Sequence, residues 1–246
     1  MESTKVKEKT IDENFSKWLI NYEISSFFEL NKLIEFELST FDQWRNTFHD
    51  KVNELLKEQD KLKKKTQLSS YEQSILQMDP SDLISAEDDE YSSFEEEVLQ
   101  MLIIKIYSKC EIAIKHMYIH KKCKTLDANY KKWIEKYKSE LSIDLKSLEG
   151  FSEFQTLRIY NNNFKHSGST ISTKTAKEIF DDGLLYTIKD SLQDTVYTNL
   201  ITITEEKSFI EKLAINNSIR LKLDKEKILD LHEHVYTFLK NISEII

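Results

Sequence analysis

Between Leu157 and Gly168 the chain reads Leu-Arg-Ile-Tyr-Asn-Asn-Asn-Phe-Lys-His-Ser-Gly, the richest run of chemically able side chains in its 246 residues. Arginine is scarce, with Arg45, Arg158 and Arg220 the only three. On a wheel of about 100° per residue with Arg158 at zero, Asn161 falls at about −60° and Lys165 at about −20°. Asn162 falls at about +40° and His166 at about +80°, while Leu157, Tyr160 and Phe164 share the opposite arc. One helix would then present two cations, an imidazole that titrates near neutrality and two amides on a face backed by apolar residues. Asn is a poor helix former, so three in succession serve something other than local stability. Such a face could contact a phosphate or ribose, hold a His tautomer, or hydrogen-bond across a dimer or inter-helix contact.

These residues resemble the signature of the HEPN superfamily, all-α domains that include metal-independent ribonucleases of toxin–antitoxin, CRISPR and anti-phage systems. The family signature is an Arg followed four to six residues later by a His, often as Arg-Asn-x-x-x-His, late in a helical bundle. The resemblance spans about residues 90–246, and its specific part is the dozen residues around Arg158 and His166. It implies a cytoplasmic homodimer in which two motif helices form one RNA-cleaving cleft without a cofactor or metal. His166 would act as general base on a ribose 2′-hydroxyl or as acid to the leaving oxygen. Arg158 and Lys165 would stabilise phosphoryl charge, and Asn161 or Asn162 would orient the imidazole. The spacing departs from the family, because seven residues separate Arg158 from His166. Aligning on His166 puts Asn162 on the family's Asn and Asn161 where its Arg stands. Either Arg158, one turn earlier, supplies the missing cation, or the cation is lost and the domain binds nucleotide or a partner without cleaving.

Other groups carry less. Cys110, His116, His120 and Cys123 lie close in sequence, and His116 and His120 at i and i+4 could share a metal on one helix face. Cys110 falls on a packing stripe nearly two turns from His116, so the reading is a buried thiol and unliganded imidazoles. His232 and His234 flank Glu233 and are expected to face solvent. No phosphate-binding glycine loop, nucleophile elbow or His-Glu-x-x-His sequence is present.

A chain with only 3 Gly and 1 Pro has few residues for the tight turns of sandwiches, barrels and Rossmann-type units. Its 13 Phe and 11 Tyr exceed what a disordered chain carries. No apolar run is long enough to span a bilayer, the first residues do not read as a signal peptide, and two cysteines fit a reducing compartment. The net charge of −8 is unevenly spread. Residues 80–97 hold eight acids and no base, whereas residues 105–138 carry ten Lys against three acids. The basic stretch could hold phosphates, with Lys121, Lys122, Lys131 and Lys132 as backbone contacts; the plainer reading is a solvated helical face.

Positioning these residues requires mostly helix. Apolar spacing predicts helices over residues 13–37 and 41–65, a hairpin with Ser39 and Thr40 capping its second arm. Pro80 and the acidic run read as a linker, so residues 1–89 form an N-terminal helical hairpin with linker and residues 90–246 a HEPN-like helical domain. Within the latter, helices are expected over 92–120, 128–141 and 151–166, the last stopped by Gly168. Residues 195–204 and 218–223 read as a small β-ribbon, and Asp224 caps a final helix. The expected fold is mainly α, a helical bundle. The leading expectation is an RNA-targeting protein, a metal-independent endoribonuclease or toxin component of a defence system. The alternative is a non-catalytic helical module that docks a partner protein, for example as an antitoxin-like subunit using the acidic run.

Overall fold

A helix that begins at Glu13 does not stop until Leu62, although a break was expected at Ser39 and Thr40. In this computed structural model, which describes residues 13–126, 129–168, 170–184, 192–194, 219–221 and 223–246, that helix is α1. The hydroxyls of Ser39 and Thr40 donate to the Phe36 carbonyl, at 2.8 and 3.0 Å, inside the unbroken helix. Both residues satisfy themselves one turn back, and neither Gly nor Pro interrupts the segment, so the expected hairpin at this point is one helix. Its buried line runs Ile20, Ile24, Phe27, Ile34, Leu38 and Phe41, in helical steps, whereas Tyr22, Phe28 and Phe36 lie outward.

The chain reverses after α1 and forms α2, Ser70–Gln77. Ser69 and Glu72 close a capping box there, and the hydrogen bond from Lys65 holds the Glu72 carboxyl down to about 2. Buried Gln59 of α1 donates to the carbonyls of Ile75 and Met78, satisfying the end of α2. Pro80 then opens α3, Pro80–Lys122, rather than a linker. Proline at a first helical position loses no hydrogen bond, the Asp79 carboxylate accepts from the Ser81 amide at 2.8 Å, and Asp82 suits the positive end of the dipole. The acidic run is therefore helical.

The remaining elements are α4 (Tyr130–Leu141), a 3-10 turn (Leu145–Ser147), α5 (Phe151–Ser167), α6 (Thr173–Asp181), β1 (Leu192–Asp194), β2 (Ile219–Leu221) and α7 (Lys225–Ile245). The chain is mainly helical. β1 and β2 pair antiparallel with Gln193 opposite Arg220. The strand expected at 218–223 is β2, while residues 195–204 lie outside the described residues. α6, which the sequence reading does not include, starts where the Thr175 amide donates to the Ser172 hydroxyl. Among the described residues no helix is long and apolar enough to cross a membrane.

The chain divides into two compact units at 31/32 and 101/102. The unit Lys32–Met101 holds an antiparallel helix pair. In it Phe41 meets Tyr91 and Phe94, Trp44 stacks on Tyr91 at 5.6 Å, and the Arg45 guanidinium lies 5.0 Å from the Tyr91 ring centre. The other unit joins residues up to Asn31 with Leu102–Ile246. Here α5 is central and packs on α7, α6 and the 3-10 turn. Phe154 stacks on Phe238 at 5.1 Å and on Tyr107 at 6.1 Å, with Leu157, Ile159 and Tyr160 fully buried. Gly150, just before α5, has φ +81°, and a Cβ there would stand 2.3 Å from the His234 carbonyl oxygen of α7. Only glycine allows α5 to start so close to α7.

Candidate functional site

α5 positions every residue of the Arg158–His166 motif, but it does not present them as one surface. From Phe154 to Asn161 it is surrounded, so Gln155, Thr156, Arg158 and Asn161 are buried alongside the apolar residues, and Asn163 is buried just beyond. Lys165 and His166, in the last turn, are exposed, and Asn162 is half-buried. Arg158 and His166 stand about 12 Å apart along the axis, eight residues at about 1.5 Å each. The division follows from depth in the bundle rather than from angle on the wheel.

Arg158 is held on three sides. One terminal nitrogen donates to Glu178 Oε2 at 3.2 Å and the other to Asp182 Oδ2 at 2.9 Å. Its guanidinium carbon lies 4.5 Å from the centre of the Tyr130 ring. Burial pushes the Tyr130 hydroxyl up to about 12, and that hydroxyl accepts from Gln155 Nε2 at 3.0 Å. Glu178 and Asp182 stand four residues apart, the spacing that aligns two carboxylates on one helical face. The arrangement neutralises a buried cation and ties α6 and α4 to α5. Sequence reasoning passed over Glu178, Asp182 and Tyr130. The available signal was an i, i+4 acid pair following a scarce arginine.

The three asparagines also divide. Asn163 donates from Nδ2 to the carbonyls of Gly168 at 2.7 Å and Thr170 at 3.2 Å, which fastens the chain as it leaves α5. Asn161 donates to the Asn162 side chain at 3.3 Å. The lysines expected to touch phosphates lie elsewhere in the same unit. Lys121 donates to the Ile246 carbonyl at 2.5 Å, Lys131 and Lys132 are exposed in the first turn of α4, and Lys122 is half-buried.

One histidine, His232, differs from the reading of the sequence, and two others, His116 and His120, add to it. His232, expected in solvent, is buried: its Nε2 is 2.9 Å from the Phe27 carbonyl and its ring stacks on Phe27 at 4.7 Å. α7 packs against α1 as well as α5, so its buried arc is wider than its aliphatic stripe. Burial lowers the pKa of His232, with the bond to Phe27 opposing. His116 Nδ1 lies 2.6 Å from Glu23 Oε1, and the His116 and His120 rings are 6.2 Å apart. Burial and then His116 lower the pKa of His120. Cys110 is buried and its thiol is pushed well up by burial, while Cys123 is exposed. Among the described residues no group of three or more His, Cys, Asp or Glu is placed to hold a metal ion.

Comparison of the chain with protein-family models, with curated proteins and with solved structures gives no match.

Proposed function

We propose that this chain is a non-catalytic helical interaction module in which the Arg158–His166 motif mainly holds the bundle together. The observation that supports this most is the occupation of Arg158 by Glu178 and Asp182 over the Tyr130 ring. Two carboxylates already neutralise this guanidinium, and a phosphate that displaced them would strand two acids beside an apolar core. The module would dock a partner protein, in keeping with the subunit role that the HEPN resemblance allows.

The second reading, RNA cleavage by a HEPN-like homodimer, draws on one specific observation. Lys165 and His166 sit exposed and adjacent at the end of α5, where a second copy could face them. One experiment separates the two. Purified chain and its His166→Ala variant are incubated with labelled structured RNA in chelator. The module reading expects no cleavage that depends on His166. Cleavage by the parent that is lost in the variant establishes the ribonuclease instead.

A further inference from the structure

The unit Lys32–Met101 carries eight bases against seventeen acids, a net charge of −9, so the rest of the chain sums to +1. Within it, residues 33–45 of α1 and 88–101 of α3 hold nine acids and a single base, Arg45. That base lies 3.7 Å from Asp88. Large apolar side chains stand out of this acidic surface. Phe36 is 65% exposed, Phe94 49%, Met101 43%, Trp44 39% and Leu33 37%.

These residues form a face rather than a scatter. Leu33, Phe36 and Trp44 fall within about 80° on α1, and Phe94 and Met101 are two turns apart on one side of α3. Trp44 and Phe94 touch edge to face at 6.1 Å, above the buried rings of Phe41 and Tyr91. The pairs Arg45–Asp88 and Phe41–Phe94 set an antiparallel register that brings Met101 level with Ile34. The strip runs about 16 Å along α1, the length of three helical turns.

We propose that this acidic aromatic face receives a cationic amphipathic helix of a partner protein. The proposal rests on the interaction-module reading and gives its partner a chemistry. Apolar anchors spaced i, i+3 or i+4, and i+7 on such a helix would cover Phe36, Trp44, Phe94 and Met101, and flanking Lys or Arg would meet the acids. The local charge repels phosphate backbones and anionic bilayers, which leaves a basic protein segment as the complementary occupant. Aromatic rings beside carboxylates also suit a cation, which gains from both the ring face and the acid.

The test uses a labelled model peptide of Leu and Lys arranged as an amphipathic helix, titrated with the full chain and followed by fluorescence anisotropy. Controls are the same peptide with Glu for Lys and a Leu/Lys sequence scrambled to remove the apolar face. The parent is expected to prefer the amphipathic cationic peptide at least tenfold. Phe36→Ser with Phe94→Ser, and separately Glu95→Lys with Glu97→Lys, are each expected to lose that preference while keeping the parent's helical circular dichroism. Equal binding of scrambled and amphipathic peptides, undiminished binding by the folded variants, or no binding overturns the proposal. So does self-association of the parent that the Phe36→Ser/Phe94→Ser pair abolishes, which assigns the face to a second copy. RNA cleavage is scored on the same preparations. Cleavage alongside peptide binding defeats only the module reading, and absence of both defeats only the docking face.

Discussion

Replacing Arg158 with Ala tests whether this residue serves the fold or is held for a ligand. The side chain is 11% exposed and its partners Glu178 and Asp182 about 30%, so the pairs lie between the surface and fully buried cases. Removing one partner from a buried pair costs about 3–5 kcal/mol, and water reaching the carboxylates reduces that to about 2 kcal/mol. Loss of the guanidinium from the Tyr130 face adds about 0.5–1 kcal/mol. The variant should therefore unfold about 3 kcal/mol more easily in urea at neutral pH, followed by far-ultraviolet circular dichroism. In a background with Glu178→Gln and Asp182→Asn the same substitution should cost about 1–2 kcal/mol less, because no carboxylates are stranded. High salt should reduce the effect only in part, since the pairs are shielded from ions. A loss below about 0.5 kcal/mol, or the same loss in both backgrounds, refutes the structural role and returns Arg158 to the candidates for phosphate binding.

Acid should loosen the unit that contains α7. Burial lowers the pKa of His232, so the unfolded chain takes up its proton first; stability is full above about pH 6.5 and falls as pH drops below it. His120 adds to that slope, and His234, whose pKa the Asp230 carbonyl raises, opposes it, so unfolding free energies of parent and His232→Phe measured from about pH 8 to about pH 5 should show the variant with the flatter profile. Gly150→Ala should cost at least about 2 kcal/mol in urea unfolding, from a positive φ and a Cβ driven against the His234 carbonyl. Gly183→Ala, with φ +69° but open space around it, should cost about 1–2 kcal/mol. Equal losses at the two glycines would refute the close approach of α5 to α7.

Much of the helical framework was legible in the sequence because its signals are local. Gly168 stops α5, Asp224 accepts from the Lys227 amide at the start of α7, and Asn129 caps α4, all within one turn of the residues they serve. The buried stripe Leu99, Ile103, Ile106, Cys110, Ala113 and Met117 is likewise a matter of spacing. Helix continuity was less visible. Ser39, Thr40 and Pro80 are residues that cap, turn or begin helices according to their neighbours, and here the neighbours carry α1 and α3 straight through. Aromatic size is no guide to burial in α1: Phe36 and Tyr22 lie outward, while smaller Ile34 and Leu38 hold the core. At the candidate site a wheel gives angles around the helix and nothing of depth within the bundle. Burial of Arg158 depends on α6, which lies across from it only in the folded chain.

The polar content of α5 follows from its central position. A helix covered on nearly every side must pair each polar group it carries or lose about 1–3 kcal/mol for each one left alone. Thr156 donates to the Ser152 carbonyl, Gln155 to the Tyr130 hydroxyl, Arg158 to two carboxylates and Asn163 to two carbonyls. The Thr156 bond stays within α5, but the other three reach α4, α6 and the loop beyond Gly168, so each of those fixes a neighbour that apolar packing alone would leave free to slide. Three asparagines in a helix were unexpected on propensity, and one of them is accounted for as the fastening of the chain past Gly168. A bundle thus has its own reason to place Arg and Asn in a central helix, and such residues mark catalysis only when the group remains accessible to a substrate. In this motif that condition is met by Lys165 and His166 and not by Arg158. The substitutions that separate fold from function are therefore Arg158→Ala for stability and His166→Ala for RNA.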